Sequence, residues 1–134
     1  MTNIISTVKS LNFPLGQYVV VASGIMEALG IRNSSDIDIA VTLELHTRLS
    51  ETNDWKKEIK YNKVFLQKDK IEIIPSLDWD KFPIKTEEAI AKAMVIDGVA
   101  FMNLEMLKKF KFALGREKDF ADIKLIDDYI ADHK

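Results

Sequence analysis

Asp36 and Asp38 stand one residue apart in the run Asp36-Ile37-Asp38-Ile39, and side chains of an extended strand alternate between its two faces. Both carboxylates then project to one side, while Ile37 and Ile39 project to the other and anchor the strand in a core. Two like charges roughly 7 Å apart on one strand face repel, and a divalent cation between them makes the arrangement favourable. Glu72 has the same setting, because Ile71 and Ile73 flank it as Ile37 and Ile39 flank Asp38. It becomes a third acid if its strand lies beside the first. Magnesium, or manganese in its place, takes one or two such carboxylates together with water and phosphate oxygens. Upstream, the apolar run Tyr18 to Val21 leads straight into Ser23-Gly24 and a helical segment. Backbone N–H groups and the Ser23 hydroxyl gather there at a helix N-terminus, a setting that binds phosphate.

Such a site needs two strands, a tight turn and a third strand to hold it, and the chain offers them in order. Ile4, Ile5, Val8 and Leu11 recur at helical spacing from Asn3 to Leu11, and Asn12 and Pro14 close that segment. After the acidic strand, Leu45 and Leu49 predict a helix over Leu43 to Leu49, followed by a polar loop from Ser50 to Asp54. Trp55 to Lys60 fits neither period. Lys63 to Gln67 and Ile71 to Ile74, separated by Lys68-Asp69-Lys70, predict a β-hairpin whose second arm ends at Pro75. Thr86 with Glu87 and Glu88 reads as a capped helix start. Val99 to Phe101 is a short extended piece. Asn103 then caps a helix with a stripe of Leu104, Leu107, Phe110 and Leu114, ended by Gly115. A last helix, Lys118 to Ala131, places Phe120, Ile123, Ile126 and Ile130 on one face. The expected architecture is α/β (α+β): one domain over residues 1–134, a small mixed sheet of four or five strands with helices packed on it.

A second group of residues could serve phosphate. Lys111 near the end of one helix and Arg116 and Lys118 at the start of the next have stems long enough to reach back to the site. Arg32, four residues before Asp36, stands either against a phosphate or in solvent. The competing reading is structural, with Asp119 as an acid near the helix N-terminus and Asp122 paired to Arg116. His46 and His133 are isolated and suggest neither ligand nor base. Lys56, Lys57, Lys60, Lys63, Lys68 and Lys70 make the middle of the chain basic. That serves a polyanion such as tRNA or is an ordinary solvated hairpin face, and the latter is the simpler expectation.

The stretch from Tyr18 to Val41 resembles the signature of the nucleotidyltransferase (DNA polymerase β-like) superfamily: a small-residue turn ending in Gly-Ser, about a dozen residues, then acid–hydrophobic–acid. Ala22 stands where that pattern usually has its first glycine, and Gly24 follows one place after Ser23. The run Lys111 to Ile123 resembles the "Lys…Arg-x-Lys-Asp-x-x-Asp" element of small bacterial nucleotidyltransferase-like proteins of toxin–antitoxin and abortive-infection systems. The resemblance implies transfer of a nucleoside monophosphate from a nucleoside triphosphate to an acceptor hydroxyl. It assigns metal binding to Asp36 and Asp38, a metal or acceptor-activating role to Glu72, and nucleotide binding to Ser23, Gly24, Arg32, Lys111, Arg116 and Lys118. The alternatives are an inactive relative acting as a binding or regulatory module, for example a toxin–antitoxin component, which Ala22 favours, and an unrelated α/β ligand-binding domain with a coincidental Asp-x-Asp.

Composition sets the bounds. The 134 residues suffice for one core but not for a separate acceptor-binding domain. An acceptor with its own surface, RNA or a partner protein, or a homodimer, is therefore expected to supply specificity. With 47% hydrophobic and 30% charged residues the chain is globular, and 19 basic against 21 acidic side chains give no overall pull toward nucleic acid. The absence of cysteine excludes disulfides, thiolate metal sites and a cysteine nucleophile. Neither a leader-like segment nor an uninterrupted apolar run of about 18 residues is visible, so the expectation is a cytoplasmic protein with no membrane partner.

Overall fold

The computed structural model describes residues 4–33 and 36–133. Asn3, at the start of the first expected helix, and Ser34 and Ser35, in the spacer before the acidic strand, lie outside the described residues. The strands in chain order are β1 (Tyr18–Val21), β2 (Ile37–Val41), β3 (Lys56–Lys60), β4 (Lys63–Lys68), β5 (Ile71–Ile74), β6 (Met94–Ile96) and β7 (Val99–Phe101). The helices are α1 (Ile4–Lys9), α2 (Gly24–Ala28), α3 (Leu43–Ser50), α4 (Thr86–Ala91), α5 (Leu104–Leu114) and α6 (Glu117–Asp132).

The mixed α/β character is as expected, but the sheet has seven strands, not four or five, in the order β3-β4-β5-β2-β1-β7-β6. The two additions lie at its edges. Strand β3 carries too little buried surface to show a period: its only large apolar residue, Ile59, is exposed. Strand β6 is held to β7 by Asp97-Gly98, both at positive φ, the geometry of a tight hairpin turn matched to strand twist.

The two most apolar runs sit at the centre. All four residues of β1 are buried, as are all of β2 except the half-buried Asp38. Strand β2 pairs antiparallel with β1, setting Asp38 opposite Val21, and parallel with β5, setting Asp38 opposite Glu72. In-register neighbours share a face, so register alone brings the two acids side by side. Helices α1 and α2 cover the other face. A Cβ on Gly24 would lie 2.5 Å from Val20 Cγ1 and 3.1 Å from Ile4 Cδ1, so glycine is needed there for close packing of three elements.

Helix ends follow the sequence except at α4. Asn103 Oδ1 accepts from Met106 N, and Gly115 closes α5 in the left-handed conformation. Thr86 does not cap α4: its Oγ1 accepts from Leu77 N, tying the preceding loop to the helix, and the cap position is Lys85. Helix α6 is turned relative to the expected stripe. Phe120 is exposed and stacks edge-on against exposed Phe112, while Asp119, Asp122 and Ile126 face inward. Among the described residues no helix is long and apolar enough to cross a membrane.

Candidate functional site

Asp36 precedes β2 rather than lying in it, and is exposed. Asp38 stands within the strand with hydrophobic residues on both sides. Burial, then the neighbouring charges of Glu72 and Asp36, push its carboxyl up to about 6 from an ordinary 3.8, against the pull of Lys60 and Lys111. Both neighbouring acids thus act on Asp38. Glu72 is itself held: its Oε2 accepts from Lys60 Nζ at 2.6 Å and from Gln67 Nε2 at 3.0 Å. Gln67 is the register partner of Glu72 on β4, so the same cross-strand logic supplies the donor.

Facing the acids is a wall of cations built from the β1–α2 turn, the loop after α2, and the α5–α6 junction. Lys111 is 3% exposed and donates to Asp122 Oδ2 at 2.8 Å and to Ser23 Oγ at 3.2 Å. Arg32 grips Asp122 with two parallel bonds, Nε to Oδ1 at 2.8 Å and Nη2 to Oδ2 at 2.7 Å. Its Nη2 also donates to Ser23 Oγ at 2.8 Å. Ser23 therefore accepts from both cations, and what its hydroxyl has left to offer is a donor, the polarity a phosphate oxygen accepts. Burial raises the Asp122 carboxyl, but the bonds from Arg32 and Lys111 outweigh it and hold the group below its usual range. Bonding to Asp122 in turn raises Arg32.

Arg116 pairs with Asp119 instead of Asp122. Its Nε and Nη2 reach Asp119 Oδ2 and Oδ1 at 2.6 and 3.0 Å, and its backbone N–H donates to Oδ2 at 3.1 Å. Asp119 thereby caps α6, and these bonds overcome burial to lower its carboxyl. Lys118 is exposed at the rim. Ser23, Arg32, Asp36, Asp38, Lys111, Arg116 and Lys118 all line one cleft of about 590 Å³. The four cations of this cleft, Arg32, Lys111, Arg116 and Lys118, stand against four carboxylates, Asp36, Asp38, Asp119 and Asp122, so its lining is balanced in formal charge. Most candidates named from the sequence meet at this cleft, but Asp122, the residue that organises Ser23, Arg32 and Lys111, was not among them. It lies off the apolar stripe expected of the last helix, so helical spacing offered no signal for it.

Two expectations about the turn change. Helix α2 has five residues, too few to present a helix N-terminus as a phosphate site by its dipole. Gly24 is small because the core behind it is close, so any contact with phosphate would come from its backbone. At Ala22 φ is +57°, a left-handed conformation that suits glycine, and nothing in the structure explains the alanine. Ala22→Gly is expected to raise stability by up to about 1.5 kcal/mol, the left-handed strain relieved (about 1–2) less the chain entropy glycine adds (about 0.5–1). Denaturant titration of the two proteins measures it, and a loss of stability would contradict it.

A divalent cation fits this donor set in kind. Among the described residues no group of three or more His, Cys, Asp or Glu side chains is close enough to hold an ion alone. The half-buried carboxylate of Asp38, raised by its acidic neighbours, matches instead an ion that takes one or two protein carboxylates and completes its shell with phosphate and water. Compared with known proteins, the chain matches no family model, no curated protein and no solved structure.

Proposed function

We propose that the chain is a metal-dependent nucleotidyltransferase, moving a nucleoside monophosphate from a nucleoside triphosphate to an acceptor hydroxyl. The observation that carries this reading is Asp38 in one cleft with Ser23, Arg32 and Lys111, with Glu72, which does not itself line that cleft, beside Asp38 by register. Asp36 and Asp38 would hold magnesium or manganese, which when bound draws charge from the phosphates and steadies the oxygens that attack and leave. Ser23 donates to a phosphate oxygen while Lys111, Arg32, Arg116 and Lys118 offset the negative charge of the triphosphate. Glu72, oriented by Lys60 and Gln67, takes the acceptor proton on Oε1. The acceptor oxygen bonds to the α-phosphorus, and pyrophosphate leaves with the electron pair of the broken P–O bond. Chemistry of this kind is mostly positioning and charge neutralisation.

One observation favours an inactive binding module as the second reading. Arg32 and Lys111 both already pair with Asp122, so a triphosphate must share these cations with a resident carboxylate. Thermal unfolding separates the two. For the enzyme, magnesium and triphosphate together raise the midpoint beyond the sum of their separate effects, because each completes the other's site and a ligand that binds only the native state stabilises it by mass action. Absence of a joint shift at saturating ligand overturns the transferase reading.

A further inference from the structure

The sheet ends in two unlike edges. Strand β3 closes one side with Lys56-Lys57-Glu58-Ile59-Lys60, and β6 closes the other with Met94-Val95-Ile96, which carries no charge. An unpaired strand edge invites pairing with another chain, and lysines on it discourage that pairing. The guard stands on β3 and is missing from β6. Met94 and Ile96 are half-buried and pack against the core, whereas Val95 between them is 59% exposed.

The hairpin turn fixes which main-chain groups of β6 face outward. Asp97-Gly98 is a two-residue loop with φ of +50° and +83°, so the residues that close it, Ile96 and Val99, exchange their N–H···O bonds across the hairpin. Such pairs alternate along an antiparallel ladder. The N–H and C=O of Val95 therefore both point away from β7, to the open edge. Its side chain stands on the acid-bearing face. Asp38 shares that face with Val21, Val20 takes the opposite one together with Phe101 and Met94, and Val95 alternates back.

We propose that β6 is a dimerisation edge, pairing antiparallel with β6 of a second copy of the chain about a two-fold axis at Val95. Residues directly opposite in an antiparallel pair share a face, so the axis must set one residue opposite its own copy. Met94 and Ile96 spend their main-chain groups on β7. Val95 opposite Val95 exchanges two N–H···O bonds, and the same register sets Met94 against Ile96 of the second copy, so all three residues meet apolar partners. It also brings Asp97 opposite Ala93 and beside Lys92 of the second copy, unlike charges at both ends of the pairing. Lys92 is in an exposed pair with Glu88 at 3.3 Å, and an ammonium with three donors serves both carboxylates. The corresponding outward residue of β3 is Ile59, but an axis there would bring together two strands that each carry Lys56, Lys57 and Lys60 against Glu58 alone. That repels, and the Lys60 ammonium is already held by Glu72 at 2.6 Å.

The dimer would carry the acid-bearing faces of both copies on the same side of one continuous sheet. None of the residues that line the cleft lies on β6 or β7, so the pairing covers neither cleft and goes beyond the transferase reading without resting on it.

Sedimentation equilibrium of the full chain from about 5 to about 500 µM tests it. An edge this short makes an interface below the standard size, and half-dissociation is expected on the order of 50 µM. Val95→Lys sets two ammonium groups opposite each other and is expected to weaken association by about ten-fold or more. Val95→Pro removes the outward N–H at a place where an edge strand accepts proline, and is expected to do the same with an unchanged circular dichroism spectrum. Both are expected to leave the joint magnesium–triphosphate shift intact, and Ile59→Lys on the other edge to leave association intact. Amide hydrogen exchange by NMR reads the backbone directly: between about 20 and about 500 µM, exchange at Val95 should slow about three-fold by mass action, while Ile96, bonded within the hairpin, stays the same. Should Val95→Pro fail to fold, Val95→Lys and the Val95 amide decide the matter. A chain that is monomeric throughout, a dimer that survives Val95→Lys, or one that Ile59→Lys dissociates overturns the proposal.

Discussion

Asp38→Asn is expected to make the ligand-free protein more stable at pH 8 by about 2–3 kcal/mol while removing the joint effect of magnesium and triphosphate. The carboxyl of Asp38 is pushed up to about 6 from 3.8 by burial and by Glu72 and Asp36, and each tenfold gain in proton affinity is worth about 1.4 kcal/mol. Because the folded-state value lies above the unfolded one, the native protein binds more protons between about pH 4 and 6. Stability therefore falls as pH rises through that window, and the penalty is complete above it. Asparagine carries no charge to desolvate or repel, so its advantage is largest at pH 8 and vanishes near pH 4. Denaturant titrations of both proteins at the two pH values measure this directly. A variant less stable at pH 8, or equally favoured at both pH values, would mean that the carboxylate is a structural partner and not a strained ligand awaiting a cation.

The acids were legible because strand alternation needs only local sequence. Asp38 and Glu72 each sit between two isoleucines, and the parallel register of β2 with β5 turns that shared pattern into adjacency. The β4–β5 hairpin, the Asn103 cap and the Gly115 stop were readable for the same reason, since each depends on residues close in the chain. Strand β6 was missed, although Asp97-Gly98 between two short apolar runs is a hairpin signal. Strand β3 was not readable: an edge strand with one face in solvent buries too little to imprint a period.

The interior of the cation wall was illegible for a different reason. Hydrophobic spacing predicts that Phe120 and Ile123 face the core, yet the buried side chains one position earlier are Asp119 and Asp122. A buried carboxylate is tolerable only when paired, and the partners of Asp122 are Lys111 on the preceding helix and Arg32, separated from it by 90 positions. Periodicity has no access to such a partner. Asp122 was therefore paired in expectation with the nearest arginine, Arg116, which in the structure serves Asp119.

That network carries the other large expected effect. Asp122→Asn leaves Lys111, at 3% exposure, with the Ser23 hydroxyl and an Asp119 oxygen 4.0 Å away, and removing one partner of a buried pair costs about 3–5 kcal/mol. The loss is expected near the lower end, about 3 kcal/mol at pH 7, because Asp119 remains and Arg32 is partly in solvent. Since the bonds from Arg32 and Lys111 lower the Asp122 carboxyl, its contribution is present above the unfolded value and is lost as pH falls through the acid range. The gap between the two proteins should accordingly narrow as pH falls below the ordinary carboxylate range. Adding Lys111→Met to Asp122→Asn removes the stranded ammonium, and the double variant is expected to recover most of the loss, since a buried pair replaced on both sides is often nearly neutral. The recovered stability will not bring back triphosphate binding, because Ser23 then lacks one of the two donors that fix its hydroxyl. A stability cost below about 1 kcal/mol for Asp122→Asn, the size of an exposed pair, would show that Lys111 does not depend on Asp122 and that the wall is held together by something else.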